Sequence, residues 1–297
     1  LGTAAMTSHE SGIVSEPLEG TVPGTIHRIS ARPSAPGVLF LHGSGGRPLD
    51  RQARRLAEEG FVCATIQYFG DADGVPNDLV EVPLETIERA IDRLVTHEAV
   101  VGDRIGLYGG SKGGELALLS AARFDGIGAV VSVAGSCYAW EGLTQEWRVT
   151  GTSSWSLGGE PIQYVPFPDA EPPGDTIRSY YEFALEWADP STVESATIPV
   201  ERIDAPLLLV SGTDDRMWPS ETYAETAVDR LERHGYQRTY RQLAYENAGH
   251  RIGPPGPWLE TLDDDDLRFG GTPNGTRRAS NDYWLEVQSL YESALRE

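Results

Sequence analysis

The chain has almost no lysine. Its 297 residues contain 24 Lys and Arg against 45 Asp and Glu, and every basic residue except Lys112 is an arginine, for a formal charge of −21. A surface of that sign repels nucleic acid and anionic membrane, which argues against both as partners. Loss of lysine beside so large an acid excess is expected of a protein working in concentrated salt, where screening relieves self-repulsion. Cysteine is scarce too. Cys63 and Cys137 make no disulfide framework in a chain this long, and both read as buried structural residues compatible with a reducing cytoplasm. No apolar run is long enough to span a bilayer. The opening LGTAAM lacks the basic start and apolar core of a signal peptide; residues 1–5 read as a non-native addition before a native start at Met6, and residues 1–24 as an extension ahead of the fold.

What is present is a rhythm of strands and helices. PGVLFLH (36–42), FVCATIQYF (61–69), RIGLYG, GAVVSVAG (128–135) and APLLLVSG (205–212) are apolar runs too short for helices and bounded by turn residues. Between them, 50–60 and 82–97 carry apolar residues at helical spacing, with Leu84, Ile87, Ala90, Ile91 and Leu94 on one face of the second. A helix over 220–234, a polar strand near 238–245 and a closing helix near 279–296 follow. Near-continuous apolar strands alternating with amphipathic helices predict a mostly parallel sheet covered on both faces. The aromatic, Pro- and Gly-rich stretch at about 136–201 breaks the rhythm and reads as a cap inserted into that domain. The acidic run 263–266 reads as a solvated loop, since hard-cation ligands come from alternating loop positions. The sequon at Asn274 is too weak to use.

Gly109-Gly110-Ser111-Lys112-Gly113 matches G-x-S-x-G between an expected strand and an expected helix, the context that gives the motif meaning. A serine hydroxyl needs a base, and the base an orienting carboxylate. SGTDDRMWPS (211–220) follows one strand and NAGHRI (247–252) the next, so acids and His250 reach the sheet edge that carries Ser111. The remaining histidines (His9, His27, His42, His97 and His234) lack that context or precede the serine, and His42 reads as a structural turn residue. Asp214 and Asp215 compete as the acid; loops of the form G-x-x-D-x-x-x-P are common in α/β-hydrolases, and by resemblance to that pattern Gly212 and Pro219 put the acid at Asp215. The order Ser, Asp, His is that of α/β-hydrolases. The oxyanion donors are expected to be the Lys112 N–H and a backbone N–H of Ser44 or Gly45 in HGSGG (42–46).

LFLHGSGG, VPLETIERAIDRL, GLYGGSKGGELALL, SWSLGGEPI, LLLVSGTDDRMWPS and YENAGHRIGPP together resemble the C-terminal catalytic domain of the acyl-CoA thioesterases and bile acid-CoA:amino acid N-acyltransferases. The resemblance runs from about residue 25 to the C-terminus. It implies the α/β-hydrolase fold, a place in fatty acid metabolism, and Ser111, Asp215 and His250 as nucleophile, acid and base. In that family the nucleophile is serine in the thioesterases and cysteine in the acyltransferase, so serine favours water as acceptor over an amine. The animal enzymes add an N-terminal β-sandwich. Lysine follows the serine in the family too, either as a cation beside the oxyanion or paired with Glu115; the pairing is favoured.

The expected chemistry is hydrolysis of an acyl thioester or ester through a covalent serine ester, with no metal or redox cofactor. Trp155 and Trp218 are candidates for an acyl pocket. Arg47, Arg51, Arg54 and Arg55 are candidates for the phosphates of an acyl-CoA, although pairing with Glu58 and Glu59 on a solvated face is the simpler role. A carboxylesterase or dienelactone-hydrolase-like enzyme and an N-acyltransferase are the alternatives. The charge balance itself is testable: the thermal unfolding midpoint should climb steadily with added potassium chloride, and a midpoint indifferent to salt removes the halophilic reading.

Overall fold

Strands with no polar face need cover on both sides, and these apolar runs obtain it in three layers. The computed structural model describes residues 12–20, 22–262 and 268–296. Residues 1–5, His9 and the acidic run 263–266 lie outside the described residues. In chain order the first half contains β1 (Ile13–Pro17), β2 (Gly24–Ile29), β3 (Gly37–Leu41), α1 (Asp50–Ala57), β4 (Val62–Ile66), β5 (Val82–Pro83), α2 (Glu85–Val95), β6 (Ile105–Gly110), α3 (Lys112–Ala121) and β7 (Ile127–Val133). The second half contains β8 (Glu141–Leu143), β9 (Val149–Ser153), β10 (Trp155–Leu157), β11 (Glu160–Pro161), α4 (Ile177–Trp187), α5 (Pro190–Ala196), β12 (Leu207–Gly212), α6 (Ser220–Arg233), β13 (Tyr240–Tyr245) and α7 (Pro273–Leu295).

The main sheet has eight strands in the order β1-β2-β4-β3-β6-β7-β12-β13. Only β2 runs against its neighbours; every pair from β4 to β13 is parallel. Alternation along a strand sends side chains to opposite layers. In β3, Val38 and Phe40 join the core under α1 and α7, with Leu56, Tyr283 and Val287. Leu39 and Leu41 join the other core, under α2, α3 and α6, with Ile91, Leu116 and Leu231.

Three elements depart from the expectation. Residues 13–17, expected in an extension, pair with β2 as the edge of the sheet, so the anticipated boundary at 24/25 falls inside a hairpin. Its strands, IVSEP and GTIHRI, mix charge with apolar residues and so carry no clean period. Buried His27 fastens this edge, with Nδ1 2.8 Å from Ser15 Oγ and Nε2 3.1 Å from Asp50 Oδ1. Val82 and Pro83, expected to begin a helix, instead form β5 and pair with β10. The last helix starts at Pro273 rather than near 279, because Thr272 Oγ1 caps the Gly275 N–H at 3.0 Å and proline suits the first helical position.

The residues between β7 and β12 form two small sheets, α4 and α5, and they are fastened to α3 by one buried carboxylate. Glu115 is fully buried and accepts both hydrogen bonds of Lys112 Nζ at 2.8 Å, the Trp155 indole N–H at 2.7 Å and the Trp140 backbone N–H at 3.3 Å. Lys112 is buried beside it and lies 5.3 Å from the centre of the Trp155 ring. Burial pushes the Glu115 carboxyl up and the Lys112 ammonium down from their ordinary pKa values, with the partner's charge opposing each shift. The lysine is therefore a structural counter-charge. Glu115→Gln leaves that charge buried without its partner and should lower stability by about 3–5 kcal/mol in urea unfolding. Lys112→Met with Glu115→Leu should recover only part of the loss, because two buried N–H donors then lack an acceptor at about 1–3 kcal/mol each. A Glu115→Gln midpoint equal to wild type would refute the anchoring role.

Candidate active site

The turn from β6 into α3 is built by the absence of side chains. A Cβ on Gly109 would lie 1.9 Å from the Gly113 carbonyl oxygen, and one on Gly113 would lie 2.1 Å from that of Leu41. Strand, helix and the end of β3 can approach this closely only with glycine at both positions. Between them Ser111 takes φ 57° and ψ −125°. That is a left-handed conformation costing a non-glycine residue on the order of 1–3 kcal/mol. Ser111 N–H donates to the Val133 carbonyl at 2.8 Å, and Gly114 N–H donates to the Ser111 carbonyl at 2.8 Å, so the end of β7 and the first turn of α3 hold the strained residue. Its hydroxyl projects from the C-terminal end of a central strand.

The loops after β12 and β13 end at the same edge, because both strands run parallel to β6. His250 Nε2 lies 2.8 Å from Ser111 Oγ, and His250 Nδ1 lies 2.8 Å from Asp215 Oδ2. Asp215 is fully buried, and donors surround its carboxylate. Met217 N–H at 2.9 Å and Trp218 N–H at 3.3 Å reach Oδ1, and the Ser220 hydroxyl donates to Oδ2 at 2.6 Å. Ser220 escaped the sequence reading, although it closes the DDRMWPS stretch at the start of α6. Asp214 points elsewhere: its side chain is 41% exposed, lies 3.3 Å from Arg216 Nε and accepts the Gly271 N–H at 2.9 Å. Of the two competing acids, the structure brings Asp215 to the histidine.

The N–H of Lys112 opens α3, and the first N–H groups of a helix have no intrahelical acceptor. Gly43 packs against the serine, with its ideal Cβ position 3.2 Å from Ser111 Cβ. Ser44 and Gly45 follow it and border a cavity of about 170 Å³ whose walls include Phe69, Leu79, Leu143 and Trp147. His42 is buried against the Tyr68 ring, 3.9 Å between centres. Its Nδ1–H donates to the Gly43 carbonyl at 2.9 Å, and the Tyr68 hydroxyl donates to the His42 carbonyl. Burial lowers the His42 pKa to about 4, so this ring is a neutral brace for the 42–46 turn.

The two tryptophans expected in an acyl pocket do not line one. Trp155 and Trp218 are buried, and neither borders the void beside Ser44. Trp155 is committed to Glu115. Trp218 donates its indole N–H to the Ala134 carbonyl at 2.8 Å and packs edge-on against His250, 5.7 Å between ring centres. Phe69, Leu79, Leu143 and Trp147 border the void beside Ser44 instead. Phe69 ends the strand run FVCATIQYF and Trp147 is one of the insertion's aromatics, whereas Leu79 and Leu143 carry no signal in the sequence.

Residues 82–297 match the family described as BAAT / Acyl-CoA thioester hydrolase C terminal. Acyl-coenzyme A thioesterase 1 of Mus musculus is 32% identical over 282 residues, covering 93% of this chain and 64% of the relative. Acyl-coenzyme A thioesterase 1 of Homo sapiens is 31% identical over 290 residues, covering 96% and 66%. The chain thus spans a little under two thirds of the length of these relatives. Among solved structures, a dienelactone hydrolase-like promiscuous phosphotriesterase from metagenomic libraries superposes with TM-score 0.56 at 16% identity, covering 95% of this chain and 97% of the other. A puromycin-hydrolyzing peptidase of Mycobacterium tuberculosis superposes with TM-score 0.59 at 18% identity, covering 95% and 39%. At such identities the structures speak for the fold alone, and that fold is the α/β-hydrolase fold. The family match covers most of the chain: it belongs to the BAAT / acyl-CoA thioester hydrolase C-terminal family.

Proposed function

We propose that the chain hydrolyses acyl thioesters, with acyl-CoA as the substrate class, through an ester on Ser111. The observation that carries this reading is the single imidazole bridging Ser111 and Asp215 at 2.8 Å on each side. With Nδ1–H donated to Asp215, Nε2 is left with a lone pair to accept the Ser111 proton. Oγ then attacks the carbonyl carbon, and the negative charge gathers on oxygen within reach of the Lys112 N–H, with Ser44 or Gly45 as source of the second donor. The positive end of α3 supports the same charge. As the tetrahedral species collapses, the C–S bond breaks and His250 returns the proton to the leaving sulfur. Water enters, His250 takes its proton, and the acid departs from a regenerated serine. The acyl chain is assigned to the void beside Ser44 and Gly45, along its Phe69, Leu79, Leu143 and Trp147 side; Thr144 and Gln145 complete the lining.

Two further readings keep a foothold. The esterase reading keeps the same triad with an alcohol as leaving group, and transfer to an amine draws on the family resemblance, although serine at position 111 favours water. Among the described residues no helix is long and apolar enough to cross a membrane, and both cysteines are free and buried. We place the reaction in a reducing cytoplasm.

Purified protein should turn over acyl-CoA faster than p-nitrophenyl esters of matched chain length, a preference that persists along the series. Ester preference throughout selects the esterase, and amide product with glycine or taurine selects the transferase. Ser111→Ala should lower kcat on every active substrate by at least about 1,000-fold, and Asp215→Asn, which favours the wrong imidazole tautomer, by about 1,000–10,000-fold. Full activity in Ser111→Ala would remove the nucleophile assignment.

A further inference from the structure

The contact that fastens the sheet edge is a second chain of alcohol, imidazole and carboxylate. β1 and β2 pair in a register that sets Ser15 directly opposite His27, so both side chains leave the same face of the hairpin. That face meets the start of α1, whose first residue is Asp50. His27 Nδ1 lies 2.8 Å from Ser15 Oγ and Nε2 lies 3.1 Å from Asp50 Oδ1. The Thr65 hydroxyl donates to the same carboxylate oxygen at 2.7 Å. One turn along α1, Arg54 Nη1 donates to Ser15 Oγ at 3.0 Å.

The donors and acceptors of a neutral ring allow one assignment. A carboxylate can only accept, so His27 Nε2 carries the proton shared with Asp50, and Nδ1 is left with a lone pair for the Ser15 hydroxyl. The Asp50 carboxyl is held below its ordinary pKa, chiefly by the His27 hydrogen bond and against its burial, which keeps it ionised and the tautomer fixed. A guanidinium can only donate, so Ser15 Oγ accepts from Arg54 while giving its own proton to His27. Fastening a hairpin accounts for the bond between Ser15 and His27. It does not account for a cation aimed at the same hydroxyl, which steadies the negative charge that Oγ acquires as its proton leaves. The base is 3% exposed, whereas Ser15 and Arg54 face solvent. We propose that Ser15 is a second nucleophilic serine, activated by His27 and Asp50 and open to small acyl or phosphoryl donors that carry a good leaving group. Oγ bonds to the carbonyl carbon or phosphorus, the bond to the leaving group breaks with its electron pair, and the serine proton passes to His27 Nδ1. Ser15 lies in an extended strand rather than at a strained turn before a helix, so it reacts more slowly than Ser111.

The test treats the full chain with diisopropyl phosphorofluoridate, which loses fluoride on reaction, and locates the adducts by peptide mass spectrometry. Ser111→Ala lacks the first nucleophile and should still gain a diisopropylphosphoryl group on Ser15. Ser111→Ala combined with Ser15→Ala should gain none on serine. In the Ser111→Ala background, Arg54→Gln should slow labelling of Ser15 by about ten-fold, the loss of one charge-assisted hydrogen bond, and His27→Gln should slow it by at least about 100-fold. Arg55, on the same helix, pairs with Glu58 and Glu59 at 3.0 and 2.9 Å, and Arg55→Gln should leave the rate in place. Arg54 is exposed, so its replacement spares the fold and decides the question where His27→Gln loosens the hairpin. An unlabelled Ser15 in Ser111→Ala would overturn the proposal. So would labelling at the same rate in Arg54→Gln, or at the same rate after unfolding in urea.

Discussion

Three backbone segments meet around Gly109 and Gly113 with no room for a single added carbon, the tightest approach being 1.9 Å to an ideal Cβ. That contact sets the angle at which α3 leaves β6, and the angle forces Ser111 into its left-handed conformation. Everything the site does is referred to this corner. The hydroxyl height, the direction of the α3 dipole and the position of the Lys112 N–H all follow from it, and Gly43 closes the remaining side. Strain at one residue is tolerated because the strands around it are buried on both faces.

The acid and the base reach this corner for a topological reason. Parallel strands bring all their C-terminal ends to one edge, so residues far apart in the chain converge there without long loops. β7 separates β6 from β12, and the Asp215 and His250 loops are laced together across the gap: Asp215 bridges to Gly270 and Ala248 to Gly271. The proposed acid therefore has little freedom to change partners, which suits a group whose task is to keep an imidazole in one tautomer.

How much of this could be read from the chain depended on the range of the interactions involved. Strands buried on both faces announce themselves as apolar runs, and the strand–turn–helix context around Ser111 is local; both were legible. Loop position placed His250 at the sheet edge that carries Ser111, and the G-x-x-D-x-x-x-P pattern singled out Asp215, the acid that lies 2.8 Å from that imidazole. The edge hairpin was illegible because its stability comes from pairing with β4 and from the His27–Asp50 contact, neither of which leaves a period in IVSEP or GTIHRI. Trp155 and Trp218 misled for a related reason. An aromatic in a Pro- and Gly-rich insertion or in a loop beside the site looks available for a ligand, whereas here each indole N–H has a buried acceptor, Glu115 for Trp155 and the Ala134 carbonyl for Trp218. The void beside Ser44 needs residues from three separate segments, so no stretch of sequence could outline it.

The buried carboxylate at position 115 has one more consequence. Insertions over hydrolase sheets are readily pictured as hinged covers that swing aside for each substrate. Here such a swing would pull two tryptophans off one buried carboxylate oxygen and uncover the Lys112–Glu115 pair beneath them. The bonds at Glu115 therefore oppose such a swing, while Trp147, at the void beside Ser44, stands 55% exposed.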